Sequence, residues 1–290
     1  MHSLTFNDDS TVKRLRWVMV GAIIFSLINT LAGQPPSFWH DPETAIRFDG
    51  LSIHSQTNPM FDFFLGLGWQ AYLACTMCYC AAAFLMVSLL PRKIALVTTF
   101  SLIFAHYFTG SSWLAVRWHF GVEGAVVYGI VIGTVMTLSV LPAVEDADAA
   151  INTLRWPMLG TMILDYAVTL AGQPASFWHR PETMREGNQL ARVFLAYGWP
   201  GYIVYALLLV AGTFLLLRVL PKIGAMICVL ATTLGAFGGA SNWSFYDWRM
   251  GIWAPVAYGI VVSVAIVSLA FANNEKPSMN FMHSLCNCDG

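Results

Sequence analysis

Apolar residues along this chain collect into eight runs near the length that crosses a bilayer: Trp17 to Ala32, Phe63 to Leu90, Ile94 to Thr109, Phe120 to Leu141, Trp156 to Ala171, Val193 to Leu217, Ile223 to Gly239 and Ile252 to Ala272. Between them stand Gly33-Gln34-Pro35, Pro91-Arg92-Lys93, the acidic stretch Glu145 to Asp148, and Pro221-Lys222, all turn or boundary chemistry. The pattern predicts an all-α polytopic membrane protein with eight transmembrane helices. Asn58-Pro59 is a helix-start signal, and Asn188 repeats the cap. A helix running from Pro59 to Leu90 has 32 residues. It would measure roughly 48 Å against a hydrocarbon core of about 30 Å, so it must tilt, protrude or break. Gly66 and Gly68 in one region, and Gly198, Pro200 and Gly201 in another, offer the break.

The chain is internally duplicated. Thr30 to Thr44, TLAGQPPSFWHDPET, matches Thr169 to Thr183, TLAGQPASFWHRPET, at 13 of 15 positions with an offset of 139. Downstream the offset becomes 130, pairing Asn58 with Asn188, Gly68-Trp69 with Gly198-Trp199, Tyr72 with Tyr202, Leu90-Pro91 with Leu220-Pro221, Gly121 with Gly251, and Tyr128-Gly129-Ile130 with Tyr258-Gly259-Ile260. Of 11 tryptophans only Trp253 lacks a mate; the pairs are Trp17/Trp156, Trp39/Trp178, Trp69/Trp199, Trp113/Trp243 and Trp118/Trp248. The expected organisation is residues 1–14 as a cytoplasmic segment, 15–144 as a first four-helix repeat, 145–153 as a cytoplasmic linker, 154–273 as a second repeat and 274–290 as a cytoplasmic tail. Four helices per repeat make the repeats parallel, related by a pseudo-two-fold axis along the membrane normal.

Charge then orients the molecule. Counted by alternate loops, nine basic residues (Lys13, Arg14, Arg16, Arg92, Lys93, Arg155, Arg218, Lys222, Lys276) fall on the side of the termini and six on the other. The positive-inside rule places both termini in the cytoplasm and the repeated loop outside, and the expected location is a plasma (inner) membrane. The first run resembles a secretory signal ending Thr30-Leu31-Ala32, but the internal copy at Thr169-Leu170-Ala171 marks both as helix ends. Only 11% of residues are charged, against about 25% in a soluble domain. The 15 basic and 16 acidic residues leave no basic excess for nucleic acid, so the expected partners are the lipid bilayer and a small-molecule solute.

The repeated loop carries the first candidate chemistry. Asp41 before Pro42 suits an N-cap with proline at the first helical position, and Glu43 follows in the first turn. Gln34, Trp39, His40 and Glu43, with their mates Gln173, Trp178, His179 and Glu182, are the solute or gate candidates. His40, Glu43, His179 and Glu182 are also weak metal-ligand candidates, because a two-fold axis supplies a second His-x-x-Glu pair. Against that, known paired sites use the order Glu-x-x-His on continuous helices, and proline interrupts this one. The outer tryptophans Trp39, Trp69, Trp113 and Trp118 and their mates suggest an outward-facing aromatic vestibule.

Departures from the repeat mark a second set. Asp165 stands where the first copy has Ser26, on one helix face with Thr161 and Thr169 and near the middle of its apolar run. An intramembrane acid is a functional candidate by default. Glu123 faces Trp253 in the alignment, His106 faces Ala236, His119 faces Arg249, and Arg117 faces Asp247, the last a candidate salt bridge between halves. There is no Ser-His-Asp order, no Gly-rich phosphate loop and no recurring Cys-x-x-Cys pair; His283, Cys286 and Cys288 form an isolated trio in the tail. Three readings stay open: a pseudo-symmetric carrier or channel-like protein for a small solute, a membrane-embedded enzyme with an outer His/Glu site, and an assembly subunit. The sequence names no cofactor and no oligomeric state.

Overall fold

A computed structural model describes residues 8–45, 59–114, 120–141, 146–186, 188–248, 250 and 253–271. Among these every regular element is helical: α1 (Asp8–Ala32), α2 (Pro59–Gly66), α3 (Trp69–Leu89), α4 (Arg92–Ser112), α5 (Gly121–Val140), α6 (Ala147–Ala171), α7 (Gln189–Leu195), α8 (Gly198–Val219), α9 (Lys222–Asn242) and α10 (Trp253–Phe271). Short 3-10 turns, Pro36–Trp39 with Pro42–Thr44 and Ala175–Trp178 with Pro181–Thr183, follow α1 and α6.

Among the described residues six helical segments are long and apolar enough to cross a membrane: Thr11–Ala32, Trp69–Leu89, Arg92–Ser112, Val122–Val140, Gly198–Val219 and Lys222–Phe245. This is an all-α integral membrane protein in contact with lipid. Two of the eight expected runs fall short of that standard for visible reasons. Helix α6 has the length, 25 residues, but carries Arg155, Pro157 and Asp165, while α10 is apolar over the whole of its described length, Trp253–Phe271, of which Trp253–Leu269 counts as a shorter apolar helix. Both α1 and α6 begin well before the tryptophan that opens their apolar run. The start of α6 is fixed by Asp146, whose carboxylate accepts from the backbone N–H groups of Asp148 and Ala149, each at 3.0 Å.

The over-long helix breaks where glycine permits it. α2 ends at Gly66 and α3 starts at Trp69, with Gly68 between them at φ +106°. The corresponding break between α7 and α8 has Gly198 at φ +74°. Both values lie in the left-handed region that only glycine enters at no steric cost.

Helices α4 and α9 form the centre. α1 packs on α4 and α6 on α9, whereas α5 packs chiefly on α9 and α10 chiefly on α4. Lipid tails are as apolar as leucine, so helix association in a bilayer rests on close packing, and small residues set it. A Cβ on Gly133 of α5 would sit 3.0 Å from the Ala231 backbone nitrogen. One on Gly129 would sit 3.6 Å from the Ala231 carbonyl, and one on Gly259 of α10 the same distance from the Ser101 carbonyl. Between the central helices, Phe104 meets Phe237 edge-on at 4.9 Å, and Ser112 Oγ donates to Asn242 Oδ1 at 3.2 Å. Helices α3 and α8 lie outermost, presenting Leu85, Met86 and Leu89, and Leu207, Leu208 and Leu215, to the bilayer.

Candidate functional site

The two repeated loops fold alike. Pro35 and Pro174 are extended (φ/ψ −66°/154° and −62°/151°), and His40 and His179 turn at −116°/−28° and −115°/−23°. Each loop is nailed down by a phenylalanine, Phe38 at 0% and Phe177 at 1% exposure. Phe38 closes a small core with Leu27, Leu65 and Tyr72. Phe177 does so with Leu195, Tyr202 and Tyr205, and Tyr166 packs against that core. As the sequence implied, Asp41 is extended and its carboxylate accepts from the Glu43 N–H at 3.1 Å, though the helix it starts is a single 3-10 turn. In the second loop, where Arg180 replaces Asp41, Ser176 Oγ donates to Thr183 Oγ1 at 2.9 Å.

Of the eight loop candidates, Gln34 and Gln173 are buried and the rest are exposed. Gln173 is a latch. Its Nε2 donates to the Thr169 carbonyl (3.1 Å) and the Arg185 carbonyl (2.7 Å), and its Oε1 accepts from the Arg185 N–H at 2.8 Å. Gln34 Nε2 likewise donates to the Thr30 carbonyl at 3.2 Å. Trp39 and Trp178 keep 42% and 48% of their surface open, and His40, Glu43, His179 and Glu182 point away from the packed core. Among the described residues no group of three or more His, Cys, Asp or Glu is gathered as a metal site.

The loops are tied to the helix breaks and to the central helices. Pro42 lies over Gly68 and Pro181 over Gly198, 3.3 Å and 3.7 Å from where a Cβ would stand. The indoles of Trp113 and Trp243 press on Gly33 and Gly172, each 2.5 Å from the position a Cβ would take. These two tryptophans are packing elements, Trp113 being buried, while Trp39, Trp178, Trp199 and Trp248 remain half-exposed on the rim. Trp39 and Trp69 are neighbours, with ring centroids 5.9 Å apart. Trp118, Arg117, His119, Arg249 and the tail trio lie outside the described residues, as does the side chain of Asp247.

Asp165 stands six residues before the end of α6, so about 9 Å from it. Its carboxylate packs directly on the Cα of Gly239 in α9. Thr161 and Thr169, on the same face, are buried. The chain neighbour of Asp165, Tyr166, packs on Tyr202 and Tyr205, and Glu186 lies at the edge of that cluster through Asn188, groups that the sequence did not single out. Three of them carried a signal, since Tyr166, Tyr205 and Glu186 stand where the first copy has Leu27, Cys75 and Gln56, whereas Tyr202 matches Tyr72. Elsewhere, His106 Nε2 lies 3.4 Å from the Tyr79 hydroxyl, Nδ1 is buried without a partner, and Glu123 is exposed.

No family model, curated protein or solved structure matches this chain. Its function has to be read from its own geometry.

Proposed function

We propose that this protein is a pseudo-symmetric carrier of a small solute, built as two parallel four-helix repeats with eight spans, both termini cytoplasmic and the repeated loops on the outer face of a plasma membrane. The observation that carries the proposal is Asp165: a carboxylate on the wall of the helix bundle, partly open to the surface, with no salt-bridge partner among the described residues. Uncompensated acids in such helices serve solute or proton pathways. The two-repeat frame is supported by packing at matched positions. Gly129 lies on Ala231 and Gly259 on Ser101, and Ser112 bonds Asn242; the members of each set differ by 130 in number. A residue touches its own mate only near a two-fold axis.

In this reading Gln34 and Gln173 hold the outer gate loops in place, and Trp39, His40, Glu43, Trp178, His179 and Glu182 face the entering solute. Asp165 is the coupling acid. Full-length protein in proteoliposomes should raise the flux of at least one member of a panel of small polar and ionic solutes above protein-free vesicles, and Asp165→Asn should lower it. Fluxes equal to empty vesicles across the panel overturn the carrier reading. Flux unchanged by Asp165→Asn removes the role given to that residue.

A further inference from the structure

A groove of about 340 Å³ runs down the lipid-facing side of the bundle between α1 and α5. Its walls are two stripes at helical spacing: Arg14, Val18, Gly21 and Phe25 on α1, and Tyr128, Ile132, Val135 and Ser139 on α5. Each stripe spans 11 residues. That is roughly 16 Å of helix, the depth of one leaflet in a hydrocarbon core of about 30 Å. The two ends differ. Phe25 and Tyr128 stack with ring centroids 4.5 Å apart and close the deep end, so Arg14 and Ser139 meet at the other, the rim nearest the start of α1. Trp17 stands at the same rim, and Trp17, Gly21 and Val135 are exposed to the bilayer. Halfway down, Gly21 clears the space: a Cβ there would meet nothing within 4 Å.

The charge at the rim separates this groove from plain apolar surface. Arg16, two residues on, is engaged with α3, where it bonds Ser88 Oγ and lies over the Phe84 ring at 5.2 Å. Arg14 is exposed and has no ion-pair partner among the described residues. The second half gives an internal comparison. Trp17, Gly21 and Tyr128 recur there as Trp156, Gly160 and Tyr258, and a Cβ on Gly160 would also meet nothing within 4 Å. Thr153, Leu164 and Leu269 stand in place of Arg14, Phe25 and Ser139. That half keeps the glycine and has neither the cation at the rim nor the paired rings below.

We propose that this groove holds one anionic phospholipid, its phosphate paired with Arg14 and one acyl chain lying over Gly21 down to Phe25 and Tyr128. Lipid tails are as apolar as leucine, so a chain that leaves the bilayer for an apolar groove gains packing alone. Selection among lipids therefore comes from the rim, where a guanidinium fork matches a phosphate and its charge favours an anionic headgroup. A leaflet-long groove with its cation at headgroup depth suits a lipid rather than a water-soluble anion, which would leave the apolar walls uncovered. In the orientation proposed above the lipid belongs to the cytoplasmic leaflet; its binding depends on neither that orientation nor transport.

The test is native mass spectrometry of full-length protein in detergent, titrated with dioleoyl phosphatidylglycerol or dioleoyl phosphatidylcholine. Phosphatidylglycerol should fill one saturable site per chain, about fivefold more tightly than phosphatidylcholine, the scale of one basic side chain against an anionic headgroup. Arg14→Gln, a change on an exposed side chain, should erase that preference. Gly21→Leu, whose side chain enters open space and so leaves the helix intact, should exclude both lipids from the site. Gly160→Leu, at the matched open position of the second half, should change nothing. Inorganic phosphate should not displace the lipid. Equal affinity for the two lipids, a preference that survives Arg14→Gln, or wild-type binding by Gly21→Leu each overturns the site. Displacement by inorganic phosphate would reduce it to a surface anion site, and a dimer lost in Gly21→Leu would give the face to a second copy; either overturns the proposal. Selective lipid binding without flux in proteoliposomes overturns the carrier reading and leaves the groove. Flux with unselective lipid binding does the reverse.

Discussion

The contact between Trp243 and Gly172 gives the sharpest test of how the loops are held. A methyl group on Gly172 would stand 2.5 Å from the indole Cε3 and 2.9 Å from Cζ3, with the Val168 carbonyl at 3.1 Å on another side. Ordinary carbon contacts begin near 3.4 Å, so the ring must retreat by roughly 1 Å, out of the slot between α6 and the end of α9. Overpacking on that scale costs about 1–3 kcal/mol. Gly172 has φ −77°, which alanine adopts freely, so backbone strain contributes nothing and the cost is steric alone. Trp243→Leu removes the benzo ring, and in that background Gly172→Ala should cost close to nothing. A double-mutant cycle therefore yields a coupling of about 1–3 kcal/mol. Reversible unfolding in mixed micelles, followed by far-ultraviolet circular dichroism so that the lost tryptophan does not alter the signal, measures all four corners. Equal costs for Gly172→Ala with and without Trp243 would refute the steric account. The pair Gly33 and Trp113, with the same 2.5 Å approach, should behave alike.

Phe177→Ala should cost about 3–5 kcal/mol by the same measurement, since Phe177 is fully buried at the centre of its small core. Gln173→Ala removes both bonds to the Arg185 backbone and leaves the Arg185 N–H without its acceptor. A loss of about 2–3 kcal/mol is expected, with faster amide exchange of Arg185 in hydrogen-exchange mass spectrometry as the local signature. Gly133→Leu drives a side chain into the Ala231 backbone of α9 and should destabilise the chain by more than Gly212→Leu, where nothing lies within 4 Å of the added Cβ.

Much of the frame was legible because it is local. Apolar run length placed the helices, Pro59 and the glycines located the break before α3, and the Asp41-Pro42 pair announced its own cap. The contact partners were less accessible. That α5 packs on α9 and α10 on α4 depends on helices separated by 80 residues or more of chain, and no periodicity in either helix says so. The sequence groups Trp113 and Trp243 with the outward-facing aromatic vestibule; in the fold they are wedges, because the slot they fill is made by Gly33 and Gly172 at the turns that end α1 and α6. Gln34 and Gln173 read in sequence as part of the exposed loop chemistry, yet burial makes them structural latches. In sequence Asp165 stands alone, because the rings and the acid that cluster on its neighbour Tyr166 arrive from α8 and from the segment before α7.

The two halves also record how a carboxylate was accommodated in a tightly packed bundle. In the first half the matched positions on α1 and α4 hold Ser26 and Thr109; in the second, α6 and α9 hold Asp165 and Gly239. The larger residue has moved from one helix to the other, and Gly239 is the one residue small enough to leave room for the Asp165 carboxylate that now covers it. If this is a steric exchange, reversing both positions should work where reversing one does not. Asp165→Ser alone opens a void over Gly239, and Gly239→Thr alone drives a side chain into the carboxylate; each should lower stability by about 1–3 kcal/mol. The double variant Asp165→Ser/Gly239→Thr rebuilds the pairing of the first half and should recover wild-type stability while lowering solute flux in proteoliposomes. A double variant no more stable than the worse single would show that the two positions are not exchanging volume. Recovery of the fold with loss of flux separates what Asp165 does for packing, which a serine and a threonine can replace, from what its carboxylate does in transport, which they cannot.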